Sequence, residues 1–189
     1  MLHIIAGPNG SGKSQLYHDV ILPVMKLPFV NADEIARREW PDEAEQRAYD
    51  AAMLASEERL AYIARGESFV TETVFSHPSK LDLLREASDR GYLTTLHVVM
   101  IPVDLAIARV DIRVSLGGHS VPPDKIRGRF VRLWDLLAQG IKLSTDAIVY
   151  DNSRANHPFI EVARFRDAHL LYTPQWPTWT PEEIRLAGW

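Results

Sequence analysis

Short apolar runs alternate with stretches of helical period along most of the chain. "LHIIA" (2–6) ends at Gly7 and reads as a buried strand. A helix is predicted from about Gly12 to Leu22, stopped by Pro23, and "PFVN" (28–31) reads as the second strand. Residues 42–65 form a long helical segment with Ala48, Ala51, Ala52, Ala55, Leu60 and Ile63 suggesting one face, ending at Gly66, a residue suited to a left-handed helix end. "SFVTE" (68–72) is the third strand. Ser76 is placed to cap a helix running to Arg90, with Gly91 just beyond it. "LTTLHVVMI" (93–101) is the fourth strand, helices at about 103–116 and 123–139 flank "GGHSVPP", and "AIVYD" (147–151) is the fifth strand. "FIEVARF" and "AHLLY" read as a closing β-hairpin turning at Arg166-Asp167, and "TPQWPTWTPEEIRLAGW" yields no element from its pattern.

Apolar strands alternating with helices imply an α/β fold, a five-stranded mainly parallel sheet covered by helices on both faces. Ligands of such sheets bind beyond the carboxyl ends of the strands. Gly7, Asn31 to Asp33, Glu72, Thr73 and Asp151 all fall at such ends. One domain over residues 1–189 is expected, with a tail from about 154 to 189.

Composition narrows the function classes only a little. The 189 residues carry a formal net charge of -4 and no strongly basic stretch, which speaks against a nucleic-acid groove. Cysteine is absent, so disulfides and thiolate metal sites are excluded. The first strand begins at Leu2, leaving no room for a signal peptide, and no apolar run approaches a membrane span. A cytoplasmic protein is expected, with no membrane partner.

The most specific motif is "GPNGSGKS" (7–14), a full match to G-x-x-x-x-G-K-[ST] lying between a strand and a helix. Gly7, Gly10 and Gly12 let the backbone wrap closely around phosphate, and the helix N-terminus adds unpaired N–H groups and partial positive charge. Lys13 suits the β- and γ-phosphates and the Ser14 hydroxyl suits Mg²⁺. The candidate nucleotide site comprises Gly7, Pro8, Asn9, Gly10, Ser11, Gly12, Lys13, Ser14 and Gln15. The absence of an N-K-x-D motif leans toward ATP over GTP. Asp151 has the look of a second, metal-binding acid at the end of a strand, as do other strand ends.

Residues 108–132, "ARVDIRVSLGGHSVPPDKIRGRFVR", form a candidate lid: Arg109 and Arg113 one turn apart, a Gly-Gly turn, then Arg127, Arg129 and Arg132. Arginines supplied in cis stabilise a transferring phosphoryl group, although a solvated basic face balanced by Asp104, Asp111 and Asp124 is the plainer reading of any one of them. His119 either contacts a phosphate or caps the loop. Glu72 and Thr73 close the third strand, where a carboxylate either holds a substrate hydroxyl or orders Mg²⁺ through water. In "VNADEIAR" (30–37), Asn31 and Glu34 form an approximate capping box, which leaves Asp33 without a capping task and available as a general base.

Together, "GPNGSGKS", "NADEIA", "FVTETVFS", "ARVDIRVSLGGHSVP" and "YDNS" resemble the zeta-toxin-like family of P-loop kinases, over roughly residues 2–153. The resemblance implies a kinase-type P-loop fold with the first strand central, and ATP and Mg²⁺ as cosubstrates. It implies Asp33 as catalytic base, Glu72 and Thr73 as substrate contacts, and Arg113 with Arg127 or Arg129 as lid arginines. It puts Asp151, Asn152 and Ser153 near the adenine-side loop, which argues against Asp151 as the metal acid. The best-understood members phosphorylate a sugar hydroxyl of UDP-N-acetylamino sugars and are neutralised by an antitoxin. This chain lacks clear counterparts of the helices that complete their sugar-nucleotide pocket. The expected function is an ATP-dependent kinase of a small-molecule hydroxyl, with a nucleotide sugar such as a UDP-N-acetylamino sugar as the expected acceptor, a zeta-type toxin role, and a cognate antitoxin as a candidate partner. The alternatives are a polynucleotide 5′-hydroxyl kinase and a non-catalytic ATP-binding regulatory module.

Overall fold

The computed structural model describes residues 1–117 and 121–188. Seven strands form one sheet in the order β2-β3-β1-β4-β5-β6-β7. They are β1 Leu2–Ala6, β2 Phe29–Val30, β3 Phe69–Thr73, β4 Thr94–Met100, β5 Asp146–Asp151, β6 Ile160–Arg166 and β7 His169–Leu170. The first five are mutually parallel; β6 and β7 close one edge antiparallel. The fold is thus an α/β P-loop kinase fold, with two edge strands beyond the five of the parallel core. The hairpin turns at Asp167 and Ala168, both at positive φ, one residue later than the sequence pattern suggested.

Strand alternation divides the core into two layers. Leu2, Ile4, Ala6, Leu96, Val98, Met100, Ala147 and Val149 belong to one apolar cluster with the buried faces of α4 (Ala48–Arg65), α5 (Ser79–Asp89) and α7 (Pro123–Leu143). Ile5, Val70, Val99, Ile148 and Tyr150 form the other, with Leu16, Tyr17 and Ile21. Those last residues belong to one run of helical turns: α1 (Lys13–Leu16), a π-helical turn (Tyr17–Ile21) and α2 (Leu22–Met25).

Pro23 therefore does not stop the first helix. It sits in the opening turn of α2, where a missing N–H costs nothing, and the wider π turn before it relieves the clash with the preceding carbonyls. Two other helix starts also move. Residues 41–47 form turns, so α4 begins at Ala48. The helix expected from Ser76 begins at Ser79, because Ser79 N–H donates to His77 Nδ1 at 3.2 Å and Pro78 fixes the approach.

The tail packs back onto the molecule. Gln175 N–H donates to Val162 O at 2.8 Å, Trp176 and Trp179 cover the larger core cluster, and Ile184 of α8 (Glu182–Arg185) is buried. Its aromatics are thus a cover for the sheet's antiparallel edge. Among the described residues, no helix is long and apolar enough to cross a membrane.

The thinner layer carries a polar string. His3 Nδ1 lies 3.2 Å from His97 Nε2, and His97 Nδ1 lies 3.3 Å from Tyr150 Oη. Burial, aided by the N-terminal ammonium, lowers His3 to about 4. Burial, with His3 and Arg164 nearby, lowers His97 to about 3. The folded chain keeps both rings neutral, while the unfolded chain protonates them below their ordinary value of about 6.5. Stability is therefore full above that value and declines as pH falls from it toward 4, by up to about 1.4 kcal/mol per pH unit for each histidine. Urea unfolding at pH 7.5, 6.5 and 5.5 should show this slope, and His3→Gln should flatten it by about half. Equal stability at pH 7.5 and 5.5 would contradict it.

Candidate active site

The phosphate loop folds as its glycines require. Gly12 precedes α1 at φ 89°, and a Cβ there would meet Asn152 Nδ2 at 2.5 Å. Gly10, at φ 74°, lies so close to α6 (Val103–Ser115) that a Cβ would sit 2.6 Å from the Ala106 carbonyl oxygen. The loop is thus wedged between the β5 end and the first lid helix. Asn152 Nδ2 donates to Ser11 O at 2.8 Å and its Oδ1 accepts from Phe159 N–H at 3.3 Å. Asn152 supports the loop from behind. Gln15 is exposed on the outer side of α1.

One carboxylate organises the front of the loop. Glu72 Oε2 accepts from Ser14 Oγ at 2.7 Å and from Asn31 Nδ2 at 3.0 Å, and Oε1 lies 3.8 Å from Lys13 Nζ. Lys13 Nζ also donates to Pro8 O at 3.0 Å. Burial pushes the Lys13 ammonium down from its usual range. The Glu72 and Asp33 carboxylates oppose that shift, and the Arg113 and Arg129 charges add to it. Five charged groups therefore share one neighbourhood. Asp151 is absent from it: its Oδ1 accepts Ser153 N–H at 2.8 Å, a turn of its own strand end.

Asn31 has a second task. Its Oδ1 accepts Asp33 N–H at 2.7 Å and Glu34 N–H at 3.3 Å, capping α3 (Ala32–Glu39). Only half of the predicted capping box forms, since the Glu34 carboxylate sits 3.9 Å from the His18 ring. The Asp33 carboxylate is exposed and has no hydrogen-bond or ion-pair partner among the described residues. It lines a cleft of about 350 Å³ together with Lys13, Ser14, Glu72, Thr73, Arg113 and Arg129.

The lid is pinned at its base. Ile101, Ala106, Val110, Val121 and Ile126 form a separate apolar cluster that joins α6 to α7. This orientation separates the two arginines that the sequence left open. Arg129 Nη1 donates to Asn9 Oδ1 at 3.3 Å and feels the Asp33 charge. Arg127 Nη1 instead lies 3.4 Å from Asp104 Oδ1, on the exposed side. Arg113 borders the cleft. His119 lies outside the described residues.

Sequence reasoning missed the link from Asn31 to Glu72, and it missed Arg59 and Lys80, which also line the cleft. Arg59 did leave a signal. The buried positions of α4 are Ala51, Ala55, Arg59 and Ile63, so a charge stands in a stripe spaced by four.

A phosphate loop after the central strand, a mainly parallel sheet and a helical lid bearing arginines define a kinase-like P-loop protein. The family model of the AAA domain matches residues 2–128, and the chain belongs to that family. No curated protein matches the chain by sequence. Solved structures share its fold at low identity. A chain of the AvrRxo1-ORF1:-ORF2 complex with ATP matches with a TM-score of 0.69 and 15% identity, over 98% of this chain and 61% of that one. The chain thus spans less than two thirds of that relative. A chain of the PezAT chromosomal toxin–antitoxin system of Streptococcus pneumoniae matches at 0.64 and 13% identity, over 85% of this chain and 70% of that one. A sugar kinase from Janibacter sp. matches at 0.54 and 21% identity, over 79% and 84%.

The double role of Asn31 can be divided experimentally. Asn31→Ser keeps a capping hydroxyl but removes the amide donor to Glu72. Stability to urea should stay within about 1 kcal/mol of the parent. Nucleotide-dependent turnover should fall by about tenfold, as one charge-assisted hydrogen bond is lost. A loss of stability with unchanged turnover would mean that Asn31 only caps.

Proposed function

We propose that the chain is an ATP-dependent kinase of the zeta-toxin type, acting as one catalytic unit over residues 1–189 on a hydroxyl of a small molecule. The carrying observation is the Asp33 carboxylate, which has no partner among the described residues and shares one cleft with Lys13, Glu72, Arg113 and Arg129. A module that only bound ATP would need neither a free carboxylate nor converging arginines. A nucleotide-linked amino sugar of the UDP-N-acetyl kind is the first acceptor to test. The toxin–antitoxin system among the similar folds supports an antitoxin as partner.

In this reading Lys13 and the loop N–H groups hold the β- and γ-phosphates of ATP. The oxygen-donor set of Ser14 and, through water, Glu72 fits Mg²⁺, a hard cation that keeps several waters. Bound there, Mg²⁺ would neutralise charge on the β- and γ-phosphate oxygens. Asp33 accepts the acceptor's hydroxyl proton as its oxygen attacks the γ-phosphorus. The bond from that phosphorus to the β–γ bridging oxygen breaks, and ADP leaves with the electron pair. Arg113 and Arg129 meet the charge on the transferring group. Thr73 offers a hydroxyl to the acceptor at the cleft wall.

Asp33→Asn should keep ATP binding and the melting temperature while turnover falls by about 10²–10⁴-fold. Turnover is followed with labelled ATP and a panel of hydroxyl compounds, UDP-amino sugars included. Undiminished phosphorylation by Asp33→Asn would remove it as the base. Phosphorylation of another compound with none of the UDP-amino sugars would overturn the named acceptor.

The arginines give a separate comparison. Arg129→Ala should lower kcat with little change in ATP affinity, because its partners develop in the transition state. Arg127→Ala should stay near the parent in both, since an exposed pair is worth about 0–1 kcal/mol. Steady-state kinetics in which Arg127→Ala is the impaired variant would reverse the assignment.

A further inference from the structure

The cleft holds a second positive centre that the phosphate chemistry does not use. Arg59, on α4, is 6% exposed, and among the described residues its guanidinium makes one hydrogen bond, a long one, Nη1 to Thr71 Oγ1 at 3.5 Å. Lys80, on α5, is half-buried, and its ammonium makes no ion pair or hydrogen bond among the described residues. Both side chains line the cleft, and both also border a smaller cavity of about 250 Å³ behind it. The two acids on that cavity are engaged elsewhere: Asp82 pairs with Arg85 at 2.9 Å and Glu86 with Arg90 at 2.7 Å. Glu58, beside Arg59 in sequence, is the one acid that favours its charge. Burial and the Arg59 charge together lower the Lys80 ammonium.

A buried guanidinium with five donors and one long bond is expensive unless something else meets it. Placing an ammonium next to it raises the cost. An anion between them would offset that cost. This centre is carried by α4 and α5, whereas the donor end of the cleft is built from the phosphate loop, Glu72 and the lid arginines. His77 adds a ring N–H donor at the cleft wall. Its Nδ1 accepts from Ser79 N–H, so the neutral ring carries its proton on Nε2.

We propose that Arg59 and Lys80 form an anion subsite at the acceptor end of the cleft, built for a phosphate group that the acceptor itself carries. The proposal rests on the kinase reading for the cleft's being the acceptor's. Two positive charges match a phosphate monoester dianion or a diphosphate better than a single carboxylate, and a guanidinium offers phosphate a two-pronged fork. The acceptor is thereby anchored by its phosphate while its hydroxyl meets Asp33.

The test uses the full chain with its phosphate loop saturated by Mg²⁺ and a non-hydrolysable ATP analogue. Inorganic phosphate, pyrophosphate and acetate are then titrated by calorimetry. One further phosphate or pyrophosphate should bind, and whichever binds tighter tells a monoester from a diphosphate. Arg59→Gln and Lys80→Gln should each weaken it by about tenfold or more, the scale of a lost charge-assisted bond. Arg59→Lys should restore part of the loss. Should Arg59→Gln fail to fold, the half-buried Lys80 decides alone. No second anion, unchanged affinity in Lys80→Gln, or acetate binding as tightly as phosphate would overturn the subsite. The titration needs no turnover, so the two readings fail separately. A second anion site in a chain that phosphorylates nothing would uphold the subsite and overturn the kinase reading. Phosphorylation of uncharged alcohols, unchanged in Lys80→Gln, would do the reverse.

Discussion

The site depends on a single carboxylate held between three strand ends. Glu72 sits at the end of β3 and takes hydrogen bonds from Ser14, at the start of α1 after β1, and from Asn31, just past β2. Its other oxygen faces Lys13. An ammonium as buried as Lys13 would be costly alone, and Glu72 supplies the compensating charge. The same carboxylate fixes the Ser14 hydroxyl, so the loop's cation and its hydroxyl are set by one neighbour. Asn31 completes the arrangement because its amide has two ends: the oxygen caps α3 and the nitrogen holds Glu72. Helix stability and site geometry are thereby coupled through one residue.

That coupling explains how positive charge is distributed along the cleft. Arg113 and Arg129 approach from the lid, which is tied to the molecule by the apolar cluster around Ile101 and Ile126. They face Lys13 across a space that also contains Asp33. Arg59 and Lys80 approach from α4 and α5. The small side chains Ala48, Ala52 and Ala55 keep open the wall of the cleft that α4 provides. One cleft thus carries two positive regions and the Asp33 carboxylate, a layout that suits the proposed transfer between two anionic partners.

Much of this was legible in the sequence, and what was not has physical reasons. The phosphate loop was readable because its chemistry is local: three glycines, a lysine and a serine between one strand and one helix. Asp33 and Glu72 were readable as strand ends, because burial and termination are also local. The partners of Glu72 were not, since they depend on β2, β3 and β1 being neighbours. The choice between Arg127 and Arg129 needed the rotation of α7 against α6, which is set by Val121 and Ile126 across a loop. Pro23 misled because a π turn, invisible in composition, absorbs it. Arg59 was hidden by its surroundings in "EERLAYIAR", where a run of charges reads as a solvated face. The four-residue spacing with Ala51, Ala55 and Ile63 was the stronger cue.

Strand order also decides which acid serves the loop. Asp151 and Glu72 both end apolar strands, and sequence alone gives Asp151 the more familiar shape. Adjacent strands lie about 4.8 Å apart. β3 is the direct neighbour of β1, whereas β5 lies two strands away with β4 between them. A carboxylate one strand over can reach the Ser14 hydroxyl directly, as Glu72 does at 2.7 Å. A carboxylate about 9.6 Å over cannot, and Asp151 is spent on the Ser153 turn instead. The residue after it, Asn152, reaches back to the Ser11 carbonyl and holds the loop's rear. The β5 end therefore shapes the loop and the β3 end equips it, a division that follows from the order of the strands and not from the identity of the acids.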